Sequence, residues 1–183
     1  MTKKLIGGVL GLGFAIVLCT FVYLMTNNKI SFGYNEGYKP TQPIAFSHQL
    51  HAGKLGIDCK YCHSSVAVSR HASVPSLNVC MNCHLIVRQT KEATEPSKEI
   101  AKVVEAYESN TNVEWKKVHL LPDHVKFNHA AHINAGKDCK ACHGEVEKMD
   151  IVEQYSTLSM GFCVNCHRQP ENNAPINCGT CHY

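Results

Sequence analysis

Five times along this chain, two cysteines with two residues between them are followed at once by a histidine. The runs are Cys59-Lys-Tyr-Cys62-His63, Cys80-Met-Asn-Cys83-His84, Cys139-Lys-Ala-Cys142-His143, Cys163-Val-Asn-Cys166-His167 and Cys178-Gly-Thr-Cys181-His182. They use all but one of the 11 Cys and leave Cys19 over. An odd cysteine count fits a disulfide framework poorly. A zinc site needs two Cys pairs, or a pair with spaced histidines, around one metal, and it asks nothing of the residue after the second Cys. C-x-x-C-H is the attachment pattern of c-type haem. The thiols form thioethers to the vinyl-derived carbons on one edge of the porphyrin, and the adjacent His turns under the ring to bind iron. With His in that place in every run, the expected cofactors are five haem c, and the proximal iron ligands are His63, His84, His143, His167 and His182.

The chain has 12 His, so His48, His51, His71, His119, His124, His129 and His132 remain. His48, His51, His129 and His132 recur in a repeat and are candidates for the far side of an iron. His119 is a fifth candidate. His71 and His124 read as ordinary solvated or hydrogen-bonded side chains. Met149 and Met160 are further candidates, since a thioether opposite His raises a haem potential relative to a second imidazole. Catalysis at a haem requires an open iron position. A surplus of ligands argues instead for electron transfer, with no catalytic residue.

These residues sit in an internal duplication. Phe46-Ser-His48-Gln-Leu-His51 precedes the first Cys pair by the same pattern with which Phe127-Asn-His129-Ala-Ala-His132 precedes the third. Phe to Cys is 13 positions in the first unit and 12 in the second. Each unit adds a second pair, at Cys80/Cys83 and at Cys163/Cys166, whereas Cys178/Cys181 has no counterpart. The last haem is therefore expected at one end of the series, near a partner surface. Between the units, positions 95–110 read as a helix with Pro96 at its start. Ile100, Val103, Val104 and Tyr107 follow the helical i, i+3, i+4, i+7 spacing. That stripe is expected to pack in an ordinary core, or on haem or the second unit. Elsewhere the pattern predicts short helices at the motifs and much irregular chain.

The N-terminal run from Leu5 to Met25 carries no charged residue and follows Lys3 and Lys4. It is long enough to span a bilayer, and longer than the apolar core of a signal peptide, with no small-residue cleavage pattern behind it. It reads as a single-pass anchor over 1–26, with the Lys side inside and the remainder outside. Gly7 and Gly11 form a G-x-x-x-G face suited to close helix packing in lipid. Positions 27–43, with Gly33, Gly37, Pro40 and Pro43, read as a linker, and 44–183 as the haem domain. The formal charge of +3 is too mild to argue for nucleic acid.

F-x-H-x-x-H ahead of C-x-x-C-H resembles small multihaem cytochromes of the class III type. That resemblance implies that His48 caps the haem of Cys59/Cys62 and His129 that of Cys139/Cys142. It also implies that His51 and His132 cap partner haems and staple the units together. More specifically, Trp115-Lys-Lys-Val-His119-Leu-Leu-Pro122-Asp123, Phe127-Asn-His129-Ala-Ala-His132, Cys142-His143-Gly144 and Leu158-Ser-Met160-Gly161-Phe-Cys163-Val-Asn-Cys166-His167-Arg168 are together similar to the pentahaem cytochrome c subunit of alternative complex III. His124 departs from that family, which favours an aromatic residue there. The resemblance implies a quinol-oxidising complex in the bacterial cytoplasmic membrane, with the haem domain on the periplasmic side. Its partners would be an iron–sulfur subunit, polytopic quinol-binding subunits and a monohaem cytochrome c. The alternative is a membrane-anchored multihaem quinol dehydrogenase feeding a periplasmic reductase. That class often carries a Met two residues after the first motif's His, where this chain has Ser64-Ser65.

Overall fold

The computed structural model describes residues 3–26, 35–89 and 93–183. Positions 27–34 of the expected linker lie outside the described residues. The chain divides into two units, Met1–Asn35 and Glu36–Tyr183.

Helix α1 (Lys3–Thr26) occupies the first unit. Its stretch Gly7–Thr26 has a mean hydropathy of 2.3 and is long and apolar enough to cross a membrane. The hydroxyls of Thr20 and Thr26 donate back to the carbonyls of Ile16 and Val22 at 2.8 and 3.0 Å. Polar groups are thus satisfied within the helix, as lipid requires.

The second unit is made of short helices and irregular chain, with no β-strand among the described residues. Its elements are a π-helical turn Gln49–Lys54, α2 (Cys59–Cys62), α3 (Leu77–His84), α4 (Lys98–Glu108), α5 (His129–Asn134), α6 (Lys140–His143) and α7 (Met160–His167). Three 3₁₀ turns, Val146–Lys148, Pro170–Asn172 and Cys178–Thr180, complete it. This is the mainly helical and irregular domain behind one apolar helix that the sequence predicts.

The duplication is visible in three dimensions. Phe46 lies edge-on to His48 (4.8 Å, 89°) and stacks on His51 (4.4 Å, 27°); Phe127 repeats this with His129 (4.8 Å, 89°) and His132 (4.4 Å, 29°). Asp58 and Asp138 each accept from the backbone N–H two residues on, at 2.7 and 2.8 Å, and so start the motif turns. The one-residue difference in spacing has a local cause. His51 and the positive-φ Gly56 are separated by one residue more than His132 and the positive-φ Gly136. The first half of the duplication absorbs that residue as a π turn, with Leu55 N–H donating to the Leu50 carbonyl, where the second half has the α-helix α5.

The halves grip each other reciprocally. Gln49 N–H donates to the Met149 carbonyl at 2.9 Å, and Gly53 lies against the Glu147 carbonyl. In return, Ala130 N–H donates to the Ser69 carbonyl at 3.1 Å, and the Asn134 amide to the Ala67 carbonyl at 3.2 Å. Each F-x-H-x-x-H segment thus rests on the chain that follows the first motif of the other half.

Helix α4 begins later than position 95. Ser97 is its N-cap, accepting from Ile100 N–H at 3.4 Å, and Pro96 precedes the cap. The helix packs on α3 of the first half of the duplication, and Val104 of α4 and Met81 of α3 are both buried. Beyond these two, Ile44 and Val66 are the buried apolar side chains among the described residues, and Gln154 and Ser156 are the buried polar side chains. That is a small core for a domain of this length, which leaves much of the interior to be built by what the motifs hold.

Candidate haem sites

The proximal histidines face other histidines. Two imidazoles bound through Nε2 on opposite sides of one metal, at about 2 Å per bond, hold their ring centres roughly 6 Å apart. His84 lies 6.2 Å from His51, His143 lies 6.4 Å from His129 and nearly parallel to it (8°), and His167 lies 5.9 Å from His132. His48 lies near enough to His63 and His51 to feel their charges. Burial, then the His63 charge and the His51 charge, push its pKa down to about 4. His143 is pushed to about 4 by burial and by His119, His129 and His63. A neutral imidazole is the form that binds a metal. Among the described residues no three His, Cys, Asp or Glu side chains converge on a point, the arrangement a zinc site would need.

In six of these rings the Nδ1 edge is taken up by a main-chain carbonyl, which leaves Nε2 as the edge available to a metal. A ligating His donates its second ring N–H to a fixed acceptor, which sets tautomer and orientation. Nδ1–H of His63, His84 and His167 donates to the carbonyls of Ser73, Val87 and Pro175 at 2.6, 2.8 and 2.7 Å. His51, His129 and His132 donate likewise to Ser47, Arg70 and Asn128 at 2.9, 3.0 and 2.8 Å. His48 Nδ1 is buried without a hydrogen-bond partner. The residues present therefore fit c-type haem: thiol pairs for the edge, and facing imidazoles for the iron.

His51 and His132 face the second motif of their own half, His84 and His167. The halves are joined by the backbone contacts above rather than by these rings.

Two histidines, His119 and His124, have placements that sequence spacing did not show. His119 does not face a proximal Nε2. Its own Nε2 lies within hydrogen-bond distance of Nδ1 of His143, at 3.0 Å, with the rings 4.3 Å apart and nearly perpendicular. His124 stacks beside His182 at 5.6 Å, but His182 Nδ1–H donates to the carbonyl of His124 itself at 2.9 Å. That bond uses the main-chain oxygen of His124 and not its imidazole. His71 is exposed, and its backbone is bonded to Ser65 and Ser69. Met149 is bonded through its carbonyl to Gln49, while Met160 opens α7 and is 68% exposed.

The thiols lie in one continuous series. Burial and Cys62 raise the pKa of Cys80, and burial and Cys83 raise that of Cys62. Burial and then Cys139 raise that of Cys59. Burial, then Cys163, raise Cys142, and burial, then Cys181, raise Cys163. Thiols of the second run thus lie near those of the first, the first near the third, the third near the fourth, and the fourth near the fifth.

Comparison with known proteins bears on this arrangement. Residues 125–183 match the family model described as cytochrome c7 and related cytochrome c. The chain is also 30% identical to the multihaem cytochrome c subunit of menaquinone reductase from Nitratidesulfovibrio vulgaris, over 77% of this chain and 76% of that relative. The chain belongs to the multihaem cytochromes c, electron-transfer proteins that bind haem covalently.

Proposed function

We propose that this chain carries five haem c on the extracytoplasmic side of a bacterial cytoplasmic membrane, anchored there by α1. It passes electrons within a quinone-linked membrane complex. The observation that carries the reading is the set of facing imidazoles at metal-spanning separations behind C-x-x-C-H runs. The haem iron supplies a reversible one-electron couple at each site. Cys59, Cys62, Cys80, Cys83, Cys139, Cys142, Cys163, Cys166, Cys178 and Cys181 hold the porphyrins. His63, His84, His143, His167 and His182 bind iron from one side, and His48, His51, His129 and His132 from the other. The organisation we propose is an anchor over 1–26, a linker over 27–43 and the haem domain over 44–183.

For the fifth site we assign Met160. The imidazole of His119 is engaged by His143, and the carbonyl of His124 by His182. Met160 stands one helical turn before Cys163, whose thiol neighbours Cys181. A His/Met site at the end of the series has a higher potential than bis-His neighbours. That suits a terminus facing a high-potential acceptor, as in the complex that alternative complex III exemplifies. Its partners would be an iron–sulfur subunit, polytopic quinol-binding subunits and a monohaem cytochrome c. A second reading, that electrons run toward quinone, is favoured by the name of the relative, a menaquinone reductase subunit.

Intact-mass analysis should show five haem additions; four or fewer refutes the count. Met160→Leu should lower one midpoint potential or turn one haem high-spin, and a titration identical to wild type removes Met160 from the iron. In the purified complex, haem reduction by a menaquinol analogue and reoxidation by cytochrome c supports quinol oxidation. Menaquinone reduction by electrons fed to the haems supports the second reading.

A further inference from the structure

One proximal histidine is held differently from the rest. Nδ1–H of His63, His84, His167 and His182 donates to main-chain carbonyls, whereas that of His143 donates to the imidazole of His119. A main-chain acceptor is fixed by the fold. A side-chain acceptor has to be clamped to serve the same purpose, and here it is. Gln154, 1% exposed, accepts from Leu120 N–H through Oε1 at 3.3 Å, next to His119. Its Nε2 donates to the Ser156 carbonyl at 3.1 Å, and Ser156 Oγ donates to the Cys142 carbonyl at 2.8 Å, next to His143. The Gln154 backbone is bonded in both directions, accepting from Gly37 N–H at 2.8 Å and donating to the Tyr38 carbonyl at 3.0 Å. The two buried polar side chains thus tie the strand of chain bearing His119 to the motif bearing His143. Buried polar networks are costly unless each member is satisfied, and this one is satisfied by the backbone on either side of the imidazole pair.

We infer that His119 is a positioning residue that fixes the ring of His143 and sets the potential of the haem at Cys139/Cys142. The inference rests on the five-haem reading above. With Nε2 of His143 turned to iron, its Nδ1 keeps the proton and His119 Nε2 serves as acceptor. An imidazole nitrogen is a stronger acceptor than an amide oxygen. It gives the proximal ligand more imidazolate character, which raises its basicity and favours ferric iron.

The test uses full-length, haem-loaded protein, with haem count by mass, potentiometric titration and low-temperature EPR. His119→Leu should keep five haems, raise one midpoint potential and move the g values of one low-spin signal. His119→Gln, with an amide acceptor, should move the same haem in the same direction by less. That variant also carries the test alone if His119→Leu does not mature. A count below five in the wild type defeats the haem reading itself. Five haems with titrations and spectra unmoved in the variants overturns the role of His119. A new high-spin signal in His119→Leu also overturns it, since it would make His119 an iron ligand.

Discussion

Gly144 directly follows the third motif, and replacing it with Ala tests how tightly that motif is held. Its backbone sits at φ 67°, ψ −164°, a region essentially reserved for glycine that costs another residue about 1–3 kcal/mol. A Cβ at this position would meet Cγ and Cδ2 of Tyr155 at 2.7 Å and Cβ of Tyr155 at 3.2 Å. Cβ and Cγ are the near end of that side chain, so rotating the ring does not clear them, and overpacking of this kind costs about 1–3 kcal/mol. Together the destabilisation is about 2–6 kcal/mol. For a chain of this length each 1 kcal/mol moves Tm by about 2–4 °C, so Gly144→Ala should melt roughly 5–20 °C below wild type. The control is Gly136→Ala. Gly136 also has positive φ, at 74°, but open space where Cβ would stand, so it should lose only about 1–2 kcal/mol. The assay is thermal unfolding of detergent-solubilised, haem-loaded protein, with the haem count recorded. Gly144→Ala as stable as Gly136→Ala would refute the packing argument.

Three further perturbations follow from the same geometry. His51→Ala and His132→Ala should each keep five haems and turn one of them high-spin, read by EPR; a spectrum that stays entirely low-spin counts against the pairing with His84 or His167. Gly53→Ala places a methyl group against the Glu147 carbonyl. It should weaken the grip between the halves by about 1–3 kcal/mol, measured as a lower Tm, and an unchanged Tm would argue against that contact. Gly7→Leu with Gly11→Leu should release the protein from its membrane partners, scored by co-purification, since small residues let helix backbones approach in lipid; unchanged co-purification means these glycines face lipid.

Much of the fold was legible because a repeat writes the same local physics twice. The Phe–His–His clusters match to within a few degrees because identical spacing puts identical rings on one side of a turn. Even the extra residue in the first unit was visible as a spacing of 13 against 12, though only the backbone shows that it is taken up as a π turn. The apolar stripe on α4 was equally plain. What it packs on was not, because periodicity identifies a buried face and says nothing about its partner.

The sites themselves were harder to read, for a reason that His119 and His124 make concrete. A histidine offers two nitrogens, and sequence spacing does not say which of them meets iron, a carbonyl or another ring. His119 is spent as an acceptor behind His143, and His124 matters through its main-chain oxygen, a group every residue carries. Gln154 carries no motif at all. It acts across 34 positions on Leu120, and its role exists only once the chain has brought those segments together. The order of the thiols is of the same kind. Along the sequence the second motif follows the first, but in space the first stands between the second and the third, because Cys62 lies by Cys80 and Cys83 while Cys59 lies by Cys139. The duplicated halves therefore meet at their first motifs, Cys59 beside Cys139. The unpaired fifth run neighbours the second motif of the later half through Cys163 and Cys181. The added motif thus lengthens an existing arm, the arrangement expected if a two-fold pair of two-haem units had gained a terminus on one side.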